Sequence, residues 1–210
     1  MRLPDGPLHL LCLGAHSDDI EIGCGGTVLQ LLAAHPGSTV DYVCLSGNPE
    51  REAEARAAAE DLLSSAGAVT LRFGGFRDGF FPFEGAQIKD YFESTLKALR
   101  PDIVFTHARA DRHQDHRLVS DLTWNTFRDH LVLEYEIPKW DGDLGQPNVY
   151  IPLDAATAER KVDLLMRHFG TQRSKRWFTP ATFAGLMRLR GIEAGVDQAE
   201  AFTGRKIIWR

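Results

Sequence analysis

Leu8-His9-Leu10-Leu11-Cys12-Leu13-Gly14-Ala15-His16-Ser17-Asp18-Asp19 is an apolar run that ends in a histidine and two adjacent carboxylates. An apolar run without polar alternation predicts a strand buried on both faces, as in a parallel sheet. A histidine and two carboxylates are costly inside a core, and α/β sheets gather their ligands beyond the carboxyl ends of strands. The cluster therefore reads as half of a metal site at a strand end. The glycine-rich Ile22-Gly23-Cys24-Gly25-Gly26-Thr27 follows it as a turn, with a helix expected over Thr27 to His35.

The other half lies far downstream. Pro101-Asp102-Ile103-Val104-Phe105-Thr106 resembles a second buried strand and runs into His107-Ala108-Arg109-Ala110-Asp111-Arg112-His113-Gln114-Asp115-His116-Arg117. If both strands are parallel in one sheet, both loops open on the same edge, and distant residues can share one ion.

Between and beyond these segments, short apolar or β-branched runs alternate with helical patterns. Strands are expected at Thr39 to Leu45, Val69 to Phe73, Leu131 to Ile137 and Val149 to Leu153, with Lys206 to Trp209 as a last strand. Helices are expected at Glu50 to Ala66, Gln87 to Arg100, His116 to about Arg128, Ala156 to Phe169 and Ala181 to Leu189. The alternation predicts an α/β fold: a Rossmann-like three-layer sandwich with a mostly parallel sheet, and the metal site at the C-terminal ends of its strands. At 210 residues, with no Gly/Ser linker or repeat, the expectation is a single domain over 1–210.

Composition narrows the class. The chain is 43% hydrophobic and 25% charged, with no apolar run near bilayer length and no signal-like amino terminus, so a cytoplasmic protein without membrane insertion is expected. Three cysteines, an odd number, argue against a disulfide framework. A net charge of −5 speaks against a nucleic-acid partner. Ala155 to Arg210, however, carries eleven Lys and Arg against five Asp and Glu. This basic surplus fits either a solvated or subunit-facing surface, hence an expected homo-oligomer, or contact with an anionic substrate group.

A catalytic zinc takes three protein ligands from His, Asp, Glu or Cys. His16, Asp19 and His116 supply such a set, one that also accepts Fe(II) or Co(II). Hydrolysis further needs a base for the attacking water and a proton donor for the leaving group. Asp18, next to Asp19, is the candidate base. His113, with Asp115 as its orienting partner, is the candidate donor or oxyanion stabiliser, expected to stay protonated near neutral pH. The rival readings are a surface His-x-x-His and an Asp-Asp helix cap; Cys24 could be a fourth ligand, against which its neighbours Gly23, Gly25 and Gly26 read as allowing close backbone approach. Two polar clusters at the ends of two expected parallel strands favour the metal. Gly23 to Gly26 fits neither G-x-G-x-x-G nor a P-loop.

Ala15-His16-Ser17-Asp18-Asp19 and His113-Gln114-Asp115-His116 resemble the A-H-P-D-D and H-x-D-H hallmarks of the PIG-L/LmbE-like zinc-dependent N-deacetylases. The resemblance extends over roughly residues 8 to 130. It implies zinc on His16, Asp19 and His116, Asp18 as general base, and His113 held by Asp115 as acid or electrostatic partner. It also implies that Arg51, in an R-x-x-E-A pattern with Glu54 and Ala55, contacts substrate. Ser17 and Gln114 stand where prolines are usual, and Ile20 where a glutamate often follows the aspartate pair; no ligand is lost.

The implied activity is removal of an N-acetyl group from a small-molecule amino sugar, such as an N-acetylglucosamine-type glycoside, conjugate or nucleotide sugar. An amidase or deacylase of another N-acyl or thiol conjugate is the nearer alternative, and a catalytically silent sugar- or nucleotide-binding module the more distant one. Phe76-Arg77-Asp78-Gly79-Phe80-Phe81 has the aromatic and carboxylate character of a sugar-binding loop with Asp78 facing hydroxyls, or else of core packing.

Overall fold

Leu10, Leu11, Cys12 and Leu13 are all fully buried, as the unbroken apolar run requires. They form β1 (His9–Gly14), at the centre of a seven-stranded sheet seen in a computed structural model that describes residues 6–207. After β1 come α1 (Asp19–Ala34), β2 (Thr39–Ser46), α2 (Pro49–Leu62), β3 (Ala68–Phe76), α3 (Gly85–Tyr91) and β4 (Ile103–His107). The chain continues through α4 (Gln114–Thr126), β5 (Leu131–Tyr135), β6 (Val149–Pro152), α5 (Ala155–His168), α6 (Pro180–Ala194) and β7 (Ala199–Thr203).

The sheet order is β3-β2-β1-β4-β5-β7-β6, and its first five strands are parallel. β7 runs antiparallel to both β5 and β6. Alternate residues of β1 face opposite layers. Leu10 and Cys12 pack with α1, α2 and α5, whereas Leu11 and Leu13 pack with α3 and α4. This is the expected three-layer sandwich. Strand order reverses between β1 and β4, so the connections leaving these neighbours diverge and open a crevice beyond their carboxyl ends. The loops after β1, β2, β3 and β4 all emerge on that edge.

Three expectations need correction. The glycine-rich stretch is not a turn: α1 begins at Asp19, and Gly23 to Gly26 lie inside it. A Cβ on Gly23 would stand 2.2 Å from the buried Tyr135 ring, and one on Gly26 would stand 2.7 Å from Leu153. These glycines therefore let α1 lie close against the sheet instead of breaking the helix. The helix expected over Gln87 to Arg100 stops early, α3 passing into a π-helical turn at Phe92–Leu96. The last strand is Ala199–Thr203; Lys206 and Ile207 have no regular structure, and positions 208–209 lie outside the described residues. That strand is short and carries a buried charge at Glu200, which masks its apolar pattern. Among the described residues no helix is long and apolar enough to cross a membrane.

Glu200 meets the opened face of α1. Its carboxylate accepts the backbone N–H groups of Gly26 (2.9 Å) and Thr27 (2.7 Å) and pairs with Lys161 at 2.5 Å. Lys161 in turn donates to the Ile22 carbonyl at 2.6 Å. A buried ion pair thus grips the middle of the helix that starts at Asp19, with Asp18 at its N-cap.

Candidate active site

The loop from β1 to α1 is held from both sides. Ser46, at the end of β2, donates its N–H and hydroxyl to the Ala15 carbonyl, and His107, at the end of β4, accepts the Ala15 N–H at 2.9 Å. The His16 N–H donates to Asp19 Oδ2 at 2.6 Å, which turns the chain into α1 and brings both side chains inward. On the other loop His113 is the N-cap of α4, its Nδ1 accepting the Asp115 N–H at 3.3 Å, so His116 falls in the first turn.

Three lone-pair groups then converge. His16 Nδ1 is 3.1 Å from His116 Nε2 and 3.3 Å from Asp19 Oδ2, and His116 Nε2 is 3.6 Å from Asp19 Oδ1. The opposite ring nitrogens are taken by acids. His16 Nε2 lies 3.2 Å from both Asp115 and Asp78, and His116 Nδ1 lies 2.9 Å from Asp111. Those carboxylates hold ring protons on the outer nitrogens and aim the inner ones at one point, where in the absence of an ion a single proton can bridge them. Donors about 2.0–2.2 Å from one tetrahedral ion stand roughly 3.3–3.5 Å apart, so His16, Asp19 and His116 fit a single zinc-sized cation.

The electrostatics agree with that fit. Burial raises the Asp19 carboxyl, but His116, His107 and His16 outweigh it and hold Asp19 well below the usual carboxylate range. Burial and the neighbouring His107 push His116 down to about 3, which keeps its ring neutral. Burial lowers His16 also, yet Asp19, Asp115 and Asp78 override it and hold it well above its ordinary value. The field at this point therefore favours a positive charge.

Asp18 is buried beside the cluster. Desolvation, then Asp19, raise its carboxyl above the usual range against the pull of Arg51. Arg51, at the start of α2, reaches Asp18 Oδ1 at 3.1 Å, Asp78 at 2.5 Å and the Ser17 hydroxyl at 3.0 Å. It is a half-buried clamp on two acids. In the Phe76–Phe81 loop Phe81 is core and the Arg77 guanidinium covers Phe80, while Asp78 stays half exposed at the site, its carboxyl lowered to about 2 chiefly by His16.

Asp115 differs from expectation. Its fully buried carboxylate accepts the N–H groups of Gly79 (2.6 Å) and Phe81 (3.1 Å) and faces His16, so it orients His16 and the Asp78 loop. Only its backbone meets His113. Without a carboxylate of its own, His113 is lowered by burial and by His16, so it is a neutral ring and not the imidazolium expected from pairing. Cys24 lies in the core, donates to the Ile20 carbonyl and has its thiol pushed up by burial, so it is no ligand.

Three residues without a role in the sequence reading belong here. His107 is fully buried, stacks on His116 at 3.9 Å and lies 3.2 Å from Asp19, so it fixes both. Its sequence signal is its place at the last position of an apolar strand. Asp111 orients His116 and is itself paired with Lys139 at 3.0 Å, a partner from the loop after β5 that no local pattern connects to it. Asp111→Ala is expected to weaken metal affinity about 10–100-fold, measured by competition with a chelator. Unchanged affinity would remove Asp111 from the site.

The cluster opens onto a cavity of about 160 Å³, also lined by Ile137, Trp140, Lys175 and Trp177. A mostly parallel sheet with histidine and carboxylate clusters gathered at its switch point defines the class: an α/β protein with a candidate metal site at its strand ends. The sequence model of the PIG-L family, described as GlcNAc-PI de-N-acetylase, matches residues 11–127, and the chain belongs to that family.

An Escherichia coli (strain K12) protein named uncharacterized deacetylase YaiS is 32% identical over 143 residues, covering 61% of this chain and 74% of its own. The structure of a conserved protein of Thermus thermophilus superposes with a TM-score of 0.73 at 25% identity, covering 97% of each chain. The N,N'-diacetylchitobiose deacetylase of Pyrococcus horikoshii superposes with a TM-score of 0.71 at 20% identity, over 92% of this chain and 82% of that one. At that identity the second likeness bears on fold alone.

Proposed function

We propose that this protein is a metal-dependent hydrolase that removes the N-acetyl group from an amino-sugar substrate, with Asp18 as the base and His113 as the oxyanion partner. Fold alone does not select a reaction, so the reading rests on the site. The observation that carries it is the convergence of the inner His16 and His116 nitrogens with the Asp19 carboxylate, next to a second buried acid, Asp18.

His16, Asp19 and His116 would hold the ion, zinc or another divalent metal of similar preference. When bound, it supplies Lewis acidity toward an amide carbonyl and lowers the pKa of a water. Arg51 occupies Oδ1 of Asp18, which leaves Oδ2 to take the proton of the attacking water. Burial has already raised this carboxyl, so it can hold that proton and then pass it to the departing nitrogen. As oxygen bonds to the acyl carbon and the C–N bond breaks, acetate and a free amine result. His113 accepts the Asp115 N–H on Nδ1, so its neutral ring carries the remaining proton on Nε2 and donates it as a hydrogen bond to the developing oxyanion. Arg51 and Asp78 present a guanidinium and a half-exposed carboxylate to sugar hydroxyls, and exposed Trp140 offers a face for stacking.

The test is acetate release from free, glycosylated and nucleotide-linked N-acetylated amino sugars, by protein loaded with zinc and by protein stripped with chelator. Metal-dependent release from one class is expected. Release only from longer N-acyl or thiol conjugates would replace this reading with the deacylase alternative, and stoichiometric metal without turnover of any amide would remove the catalytic one.

A further inference from the structure

The connection from β5 to β6 supplies one wall of the cavity over the metal donors, through Ile137, Lys139, Trp140 and Asp141. It contains neither helix nor strand, and between the buried Pro138 and Pro147 it buries no apolar side chain: Trp140 is 69% exposed and Leu144 43%. A segment without buried apolar contacts is held by its polar ones.

Those polar contacts meet at Lys139. Its ammonium lies 2.5 Å from Asp143 and 3.0 Å from Asp111. Asp143, in the same loop, also accepts the Arg112 N–H at 2.7 Å. Asp111 serves the metal donors, its Oδ1 accepting the His113 N–H at 2.8 Å and its Oδ2 facing His116 Nδ1 at 2.9 Å. The base of the loop is closed separately, where Glu136 accepts the Gly145 N–H at 3.1 Å and Arg190 donates to Glu136 and to the Gly145 carbonyl. Without Lys139, Asp111 and Asp143 would face each other with no cation between them and repel. Asp111 is tied to His113 and His116, so the loop is the part that would move.

We propose that Lys139 is a positioning residue that couples the metal donors to the cavity wall. Through Asp111 it fixes the His116 ring, and through Asp143 it fixes the loop that carries Trp140. A cation on the inner nitrogen makes His116 Nδ1–H a stronger donor to Asp111, so filling the His16, Asp19 and His116 donors tightens the 139–146 loop. The clasped loop raises metal affinity by the same factor, because coupling between two sites is reciprocal. The proposal rests on the metal half of the proposed function and not on the acetyl substrate.

The experiment uses the full chain, stripped with chelator or loaded with zinc. It reads backbone hydrogen exchange across 139–146 by mass spectrometry, and zinc affinity by competition with a chelator. In the wild type, zinc is expected to slow exchange of the loop about tenfold. Lys139→Met is expected to weaken zinc binding about 10–100-fold and to leave loop exchange the same with and without zinc. The sign is diagnostic. A lysine acting by charge alone repels a cation, so its loss would tighten zinc binding; a lysine acting as a clasp loosens it when removed.

Loop exchange that zinc leaves unchanged in the wild type overturns the coupling. So does Lys139→Met with zinc affinity at or above that of the wild type, or with zinc protection of the loop intact. If circular dichroism shows Lys139→Met to be unfolded, the wild-type comparison decides alone. Coupling without acetate release from any amino sugar keeps the clasp and discards the reaction, and acetate release without coupling does the reverse. A wild type that binds no zinc by metal analysis overturns both.

Discussion

Asp18→Asn is expected to lower kcat by about 10²–10⁴-fold while the protein keeps its metal. The amide is the same size and still accepts from Arg51, so the clamp that joins Asp18 to Asp78 survives in shape. What disappears is the ability to take a proton from water and return it to the leaving nitrogen. The measurement is turnover together with metal content. Metal lost in step with activity would make Asp18 a ligand, and full activity would move the base elsewhere. His116→Ala, by contrast, removes one of the three converging donors and should cost metal as well as turnover.

Glu200→Ala is expected to destabilise the fold by about 3–5 kcal/mol, the usual loss when one member of a buried ion pair is removed. Lys161 is buried and would be left with only the Ile22 carbonyl beside it, and the Gly26 and Thr27 amides would lose their carboxylate acceptor. Urea unfolding monitored by circular dichroism reads the loss as a lower midpoint. Lys161→Met combined with Glu200→Leu should recover much of it, because paired replacement removes the stranded charge. A single variant as stable as the wild type would show that glycine packing, not the ion pair, seats α1. Such a seat bears on function because α1 begins at Asp19.

These two residues differ in how they can be found. Asp18 stands in a local signal, a carboxylate pair directly after an apolar strand. Glu200 lies in a five-residue strand, and its partners Gly26, Thr27 and Lys161 come from helices far away in sequence. The same contrast separates His116 from Asp111 and Lys139. His116 announces itself in His-x-x-His, whereas the lysine that pairs with Asp111 arrives from the loop after β5.

By itself the sequence determined the α/β alternation, the central buried strands and the two polar clusters at their ends. Burial on both faces of a parallel strand leaves an unbroken apolar run, and a polar cluster directly after it has nowhere to go but the sheet edge. Tertiary structure alone decided that Gly23 to Gly26 lie within a helix, since the reason for them is a neighbouring Tyr135 ring and Leu153 side chain. It also decided that Asp115 serves His16 and the Gly79 loop, and that Lys139 stands between Asp111 and Asp143. Periodicity records which face of an element is buried; it does not record which distant group meets a given hydrogen-bond donor or charge, and those pairings set the protonation and charge of the site.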